Sequence, residues 1–208
     1  MGMDIHGIPP LACFERFVPA MRALWKTDLT DEERWKRVSA LLPILLENRE
    51  LRELAAAWAF TRATDGKHAN LLFYEDPLHG FVVNALVKAP GAATPVHDHA
   101  HTWTAYGVIC GSERVVRYRL EKEVSPGEVA ELTEVGDYVV EPGFVDVVPP
   151  RLPHAEYVGD SRTVAIIVRS ARVGGFHQRM CTIRRASTSS RRDRSSSRAS
   201  LRRFDFSI

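Results

Sequence analysis

Two histidines separated by one residue, His97 and His99, offer the clearest chemistry in the sequence. In an extended strand, residues two apart share a face with Cα atoms about 6.5–7 Å apart, so both imidazoles can reach one metal ion through bonds of about 2.1 Å. Asp98 then points to the opposite face. His101 lies about 13 Å from His97 along a straight strand, too far to join the same ion. A metal site here therefore needs a further ligand from another strand.

His154 is the best candidate for that ligand, because it follows a proline-bounded turn at residues 149–153 and begins a predicted strand. A pair of strand histidines is weak evidence by itself, since ordinary polar or hydrogen-bonded histidines are common. Three histidines that meet at one point suit a divalent metal ion, and Zn(II) binds such sites well.

The length and composition of the chain limit the class of protein to which it can belong. The chain has 208 residues, 45% of them hydrophobic, which suits one sizeable domain with a real core. No apolar run reaches the roughly 18 residues that span a bilayer. Residues 1–6 lack the features of a secretory signal, and the three cysteines are far apart. We therefore expect a cytoplasmic protein without a disulfide framework.

The net charge of +2 conceals an asymmetry along the chain. Residues 182–208 contain eight Arg and two Asp, whereas residues 1–181 carry four more acidic than basic side chains. The C-terminal part is rich in Ser and Arg with few large apolar residues, so we expect a disordered tail over residues 182–208. An acidic body gives no reason to expect nucleic-acid binding.

The histidines must be positioned by the elements around them, and the sequence divides these into two parts. In residues 1–65, apolar residues spaced by three and four predict helices over 11–24, 35–45 and 51–60, with a capping box at Thr30 and Glu33. In residues 66–181, short β-rich runs alternate with turn residues, which indicates an all-β sandwich or barrel. The predicted strands cover residues 70–74, 81–88, 96–101, 105–110, 113–120, 129–134, 137–140, 146–148, 154–158 and 163–169.

Two spacings in the β-rich part resemble the cupin motifs. The first comprises Gly91, five residues, His97, one residue, His99 and then Gly111; the second comprises Gly136, Pro142-Gly143 and His154. The chain from about residue 10 to 180 further resembles the bacterial branch of the cysteine dioxygenase-like cupins, the thiol dioxygenases. The residues that carry this likeness are 72–77, Pro90-Gly91, 94–99, Trp103, Gly107-Val108, Gly111 and Glu113.

This resemblance implies a fold, a cofactor and an activity. The fold would be a mainly β double-stranded β-helix, a jelly-roll barrel with an N-terminal helical cap. The barrel would bind Fe(II) through His97, His99 and His154, and it would use O₂ to oxidise a small thiol to a sulfinate. A metal-dependent isomerase or lyase on the same barrel, or a non-catalytic protein that binds a small molecule, remain alternatives. The oligomeric state is left open.

The sequence departs from the family pattern around the predicted substrate. Thr104 stands where cupins usually have a glutamate ligand, Ala69 replaces the usual carboxylate anchor, and apolar residues replace part of the Ser-x-His-x-Tyr strand that would end at Arg169. We take Thr104, Tyr157 and Arg169 as candidate substrate-binding residues. If Arg169 faces the barrel interior, its guanidinium needs a partner, either Glu156 or an acid group of the substrate; otherwise it lies at the rim in water.

Overall fold

The computed structural model describes residues 11–58, 68–122, 130–172, 179–180 and 183–185. Helices occupy the beginning of this chain and strands the rest. The helices are α1 (Ala12–Leu24), α2 (Asp31–Leu41), α3 (Pro43–Leu46) and α4 (Arg49–Ala57). The strands are β1 (His68–Glu75), β2 (Val82–Lys88), β3 (His97–Asp98), β4 (Thr104–Cys110), β5 (Glu113–Leu120), β6 (Ala130–Val140), β7 (Val145–Val148), β8 (His154–Val158), β9 (Thr163–Arg169), β10 (Arg179–Met180) and β11 (Ile183–Arg185).

The strands form two sheets whose order confirms the predicted fold. One sheet has the order β1-β2-β9-β4-β7, and the other has the order β10-β3-β8-β5-β6-β11. Strands β2 to β9 are divided between the sheets so that each sheet holds four of them, and every neighbouring pair among these eight strands is antiparallel. This is the arrangement of an eight-stranded jelly roll built from two Greek keys, which is the double-stranded β-helix.

The helices pack on the outer face of the first sheet. Their buried residues, among them Phe14, Trp35 and Leu45, form one core with outward-facing residues of β1, β2, β4 and β9. The ring of Trp35 stacks on that of Trp103 with centroids 6.3 Å apart, which connects the helical layer to the segment that follows His99. A second cluster, which includes Tyr106, Val115 and Ile167, fills the space between the two sheets.

Polar contacts tie the helical layer to the barrel at two places. On α1, the Arg22 guanidinium donates to the buried carboxylate of Asp76 at 2.6 Å, and the Tyr74 hydroxyl donates to the same carboxylate at 2.8 Å. Beyond α4, Arg162 donates to the carbonyls of Ala55, Ala56 and Trp58. The Ala55 carbonyl also accepts from the Trp58 N–H. The carbonyls at a helix C-terminus run short of helical N–H donors, and the guanidinium supplies further ones.

The predicted helices are largely confirmed, with one correction. The capping box at the start of α2 is present as expected. The predicted helix over residues 35–45, however, is two helices, because α2 ends at Leu41 and Pro43 opens α3 as its first residue. Proline lacks a backbone N–H and is well suited to the first turn of a new helix. The last predicted helix ends at Ala57, and residues 59–60 lie outside the described chain.

The strand predictions need two corrections. The predicted strand over residues 96–101 contains only His97–Asp98, because the chain turns at Ala100, which adopts a left-handed φ of 51°. The two strands predicted over 129–134 and 137–140 are one strand, β6, in which Gly136 pairs with Arg117 beside a register shift instead of forming a turn.

The C-terminal end of the described chain also forms strands. β11 lies within the segment predicted as a tail and pairs in parallel with the start of β6; residues 186–208 lie outside the described chain. Among the described residues, no helix combines the length and the apolar character that crossing a membrane requires.

Candidate metal centre

Three histidines meet on the inner face of the second sheet. His97 on β3 and His154 on β8 are directly paired in the strand register, and His99 follows immediately after β3. The ring centroids lie 4.5 Å apart for His97 and His154, 4.8 Å for His99 and His154, and 5.3 Å for His97 and His99. One ring nitrogen from each lies within 4.8 Å of the others, and all three side chains are buried. The cluster could therefore hold a single metal ion.

Hydrogen bonds behind the rings orient the ligand nitrogens. Nδ1 of His97 donates to the carbonyl of Pro95 at 3.0 Å, and Nδ1 of His154 donates to the carbonyl of Leu152 at 2.9 Å. A carbonyl can only accept, so the proton is on Nδ1 and the lone pair is on Nε2. The hydroxyl oxygen of Thr104 lies 2.9 Å from Nδ1 of His99 and can accept from it in the same way.

The donor set fits a divalent transition metal. Nε2 of His154 is buried and has no hydrogen-bond partner within the described part of the chain. A buried polar atom of this kind calls for a partner, and a metal ion supplies one. Burial, together with the neighbouring histidines, lowers the pKa of His99 to about 2 and that of His154 to about 4. Both rings are therefore neutral at pH 7, which is the form that ligates metals.

The two segments that carry the ligands are joined by their backbones. Ala100 and Arg151 both have a left-handed φ, 51° and 58°, although neither is glycine. The N–H of Arg151 donates to the carbonyl of Ala100 at 2.8 Å, and the carboxylate of Asp98 accepts from the N–H of Ala100 at 2.8 Å. The turn at Ala100 directs His101 to the surface, away from the other three histidines.

The three candidate substrate-binding residues lie in different places. Thr104 is buried behind His99, where its hydroxyl positions the ring. Tyr157 is two residues beyond Ala155 and shares its face, opposite to the face of His154, with its ring 5.5 Å from the Arg114 guanidinium. The structure therefore does not bring Tyr157 to the histidines. Arg169 is paired with Thr104 in the register of β9 and β4, so its side chain is on the interior face.

Arg169 does not pair with Glu156, which the sequence allowed as its partner. Glu156 instead accepts from Lys88 at 2.9 Å, and the same ammonium donates to Glu113 at 2.6 Å. Thr163 completes this network by donating to Glu113 at 2.6 Å. Burial alone would raise the pKa of Glu156, but the Lys88 ammonium holds that pKa below its ordinary value.

Sequence reasoning missed most of the interior polar residues. Neither Lys88 nor Arg117 stands in a recognisable motif, and Glu113 is named above only among the residues that carry the family likeness. In the structure, Arg117 donates to the Asp146 carboxylate at 2.5 Å and to the Val147 carbonyl at 2.8 Å. The hydroxyl of Tyr106, which also faces the interior, was missed as well. The alternation of every second residue along β4 and β5 could have indicated which of these side chains face the interior. It could not have indicated their hydrogen-bond partners, which depend on the register between strands.

Removing the hydroxyl behind His99 should weaken metal binding without removing a ligand. Thr104→Val keeps the shape of the side chain, and we expect the affinity for Zn(II) to fall about 10–100-fold, the usual effect of losing a hydrogen bond that orients a ligand. Competition with a chromophoric chelator measures this change. Thr102→Val is the matched control, since the buried Thr102 hydroxyl has no hydrogen-bond partner in the described chain. Equal affinities for both variants would contradict the role given to Thr104.

Comparison with known proteins yields structural neighbours only. No protein-family model and no curated protein matches the chain. A solved oxalate oxidase is 18% identical with a TM-score of 0.44, and the match covers 59% of each chain. A cupin-2 domain from Rhodospirillum rubrum is 11% identical with a TM-score of 0.43, covering 56% of this chain and 66% of the other. A protein from Klebsiella pneumoniae with a double-stranded β-helix domain is 15% identical with a TM-score of 0.40. The match covers 59% of this chain and 85% of the other.

The class of protein is defined by the order of the strands in the two sheets, which is that of a cupin-type double-stranded β-helix. Within that class, it is a barrel whose interior holds three histidines that could bind a metal ion.

Proposed function

We propose that the protein is a non-haem Fe(II) dioxygenase that oxidises a small thiol to a sulfinate with O₂. The observation that supports this proposal is the composition of the metal cluster, which contains three histidines and no carboxylate among the described residues. Three neutral imidazoles leave the full 2+ charge of an ion uncompensated, which favours an anionic ligand from the substrate. A thiolate suits such a site because it is soft and because a nearby metal lowers the pKa of a thiol.

The proposed reaction balances without a further cofactor. A thiolate and one O₂ give a sulfinate, so sulfur loses four electrons, O₂ gains four, and both oxygen atoms end in the product. Iron bound by His97, His99 and His154 would supply open coordination positions and the redox chemistry that O₂ needs. Zn(II) would fit the same histidines but has no redox chemistry.

The protein's own residues prepare the site for this reaction. The hydrogen bonds to Pro95 and Leu152 fix the orientation of two imidazoles before any ligand arrives. Apolar residues of the interior cluster, such as Val108 and Ile167, line part of the space between the sheets. Electrostatic interactions are stronger beside such apolar surface than in water, which would strengthen the binding of a charged ligand.

Oxygen consumption by iron-loaded protein tests the proposal. Protein reconstituted with Fe(II) under anaerobic conditions should consume O₂ when a thiol is added, and ¹⁸O₂ should place two labelled atoms in the sulfinate. Zn(II)-loaded protein and the His99→Ala variant are the controls, and neither should consume O₂. Failure of the iron-loaded protein to consume O₂ with a broad panel of small thiols would contradict the proposal.

The same assay separates the alternatives. An isomerase or lyase would convert its substrate without O₂, so turnover under anaerobic conditions would favour that class. A non-catalytic binding protein would show a ligand-dependent rise in melting temperature with no product in either atmosphere.

A further inference from the structure

A largely buried carboxylate lies close to the histidine cluster without belonging to it. Glu156 follows His154 by two residues on β8, so the two side chains share the interior face and their Cα atoms are about 6.5–7 Å apart. The ring nitrogens that could hold a metal ion form their group without any carboxylate oxygen from the described residues. Glu156 is therefore a neighbour of the three histidines and not a fourth ligand.

The backbone of Glu156 is fixed to the segment that carries His97. Its N–H donates to the Thr94 hydroxyl at 2.9 Å, and its carbonyl accepts from the Thr94 N–H at 3.0 Å. Thr94 precedes Pro95, whose carbonyl accepts from Nδ1 of His97. Hydrogen bonds and strand pairing thus set the position of Glu156 relative to the histidines on both β3 and β8.

The Glu156 side chain is held by a cation from the opposite sheet. Lys88 on β2 donates to Glu156 at 2.9 Å and to Glu113 on β5 at 2.6 Å. With both carboxylates ionised, this group of one cation and two anions has a net charge of −1. Arg169, a further interior cation, donates to Asn84 instead of to either carboxylate. An excess of buried negative charge is costly, and a cation bound nearby relieves it.

The two carboxylates that contact Lys88 differ in their distance from the histidines. In the pairing of β5 with β8, Glu113 is opposite Val158, four residues beyond His154. Glu113 is therefore about 13 Å from His154 along the strand direction, roughly twice as far as Glu156. Burial lowers the pKa of His99 and of His154, and the Glu156 carboxylate opposes this lowering at both rings. Of the two carboxylates, Glu156 is the better placed to act on a bound cation.

We propose that Glu156 supplies a fixed negative charge that strengthens the binding of a divalent cation to the histidines, and that Lys88 keeps this carboxylate out of the ligand set. Because Glu156 acts through space, the coordination positions that the histidines leave remain open to other ligands. The ion and the network together keep a positive charge, so an anionic substrate is still favoured. Zn(II) binding involves neither a thiol nor O₂, so this role of Glu156 is independent of the function proposed above.

Zn(II) affinities of neutral and charge-retaining variants test this role. Competition with a chromophoric chelator at pH 7 measures them, after thermal melting has shown that each variant is folded. We expect Glu156→Gln to bind Zn(II) at least about tenfold more weakly than the wild-type protein, the lower end of the usual effect of losing a group behind the ligands. Glu156→Asp keeps the charge and should retain most of the affinity. Glu156→Met is a second neutral variant, which decides if Glu156→Gln does not fold.

Glu113→Gln is the matched control, because it weakens the same contact with Lys88 at a greater distance from the histidines. It should change the Zn(II) affinity by no more than about threefold, since Coulomb energies fall with distance. Lys88→Met should change the affinity in the opposite direction. It removes a cation and leaves both carboxylates, so Zn(II) should bind more tightly, whereas a purely structural network would bind Zn(II) more weakly in every variant.

Cu(I), titrated under anaerobic conditions, separates charge from geometry. A Coulomb interaction is proportional to the charge of the ion, so Glu156→Gln should weaken Cu(I) binding only about threefold where Zn(II) binding falls tenfold. Displaced histidines would weaken the binding of both ions alike. Unchanged Zn(II) affinity in the neutral Glu156 variants, equal losses in Glu156→Gln and Glu113→Gln, or equal losses for the two ions would overturn the role of Glu156. Weaker Zn(II) binding by folded Lys88→Met protein would overturn the role of Lys88.

Discussion

Replacing His154 with alanine is expected to lower the affinity for Zn(II) and Fe(II) by more than about a hundredfold. Loss of a hydrogen bond behind a ligand already costs about 10–100-fold in metal affinity, and this change removes the ligand itself. His154 is the member of the cluster supplied by a separate strand, so the variant keeps only the two histidines of one short segment. Metal content after purification and chelator competition measure the loss.

His101→Ala is the matched control for that experiment. It removes an exposed histidine from the same segment and should retain nearly all of the metal affinity. The His154→Ala protein should remain folded, since Nε2 of His154 has no hydrogen-bond partner among the described residues and the change gives up only the Nδ1 bond to the Leu152 carbonyl. Stoichiometric metal in purified His154→Ala protein would show that the three histidines are not the ligand set.

Replacing Lys88 with methionine should lower the free energy of unfolding by about 3–5 kcal/mol. The ammonium is buried and bridges two carboxylates, and removing one partner of a buried ionic group leaves the remaining charge uncompensated. Lys36→Met removes an exposed helical pair with Glu32 and should change the free energy by about 0.5 kcal/mol or less. Urea denaturation at pH 7 compares the two variants with the wild-type protein.

The pH dependence gives a second reading of the Lys88 experiment. In the wild-type protein the pKa of Glu156 is held below its ordinary value. The ionised Glu156 carboxylate therefore stabilises the folded protein fully at pH values above about 4.3, and this stabilisation is lost as the pH falls further. In the Lys88→Met protein, Glu113 and Glu156 are largely buried without the compensating cation. Protonation neutralises these carboxylates and so removes the cost of burying their charge. The difference in stability between the two proteins should therefore shrink as the pH is lowered from 7 towards 4. A difference that is constant over this range would contradict an ionic origin.

The histidine cluster was accessible to sequence reasoning because its geometry is mostly local. Alternation along a strand places His97 and His99 on the same side, and a proline-bounded turn marks the residue that begins β8. The all-β architecture was predicted for a similar reason, since short runs separated by turn residues reflect antiparallel strands. The jelly roll itself was implied by the family resemblance. Even the capping box of α2 involves only residues three apart.

The interior network was not accessible, because its partners are distant in sequence. Lys88 lies 25 residues from Glu113 and 68 from Glu156, and only the order of strands in the barrel brings them together. The same holds for Arg169, whose neighbour Asn84 is 85 residues away. A one-residue error in any strand register would have moved these side chains to the opposite face. The strand predicted over residues 96–101 is shorter because Ala100 adopts a left-handed backbone conformation. The residue type gives no indication of this, since alanine rarely adopts it.

Strands β10 and β11 are separated by only two residues, yet they pair with β3 and β6 at opposite sides of the second sheet. The edge of a sheet exposes backbone groups onto which another chain can add, which is a common route to aggregation. One short stretch of chain therefore shields parts of two edges at once. For recombinant work, a cut before residue 179 would therefore uncover both edges together and favour self-association.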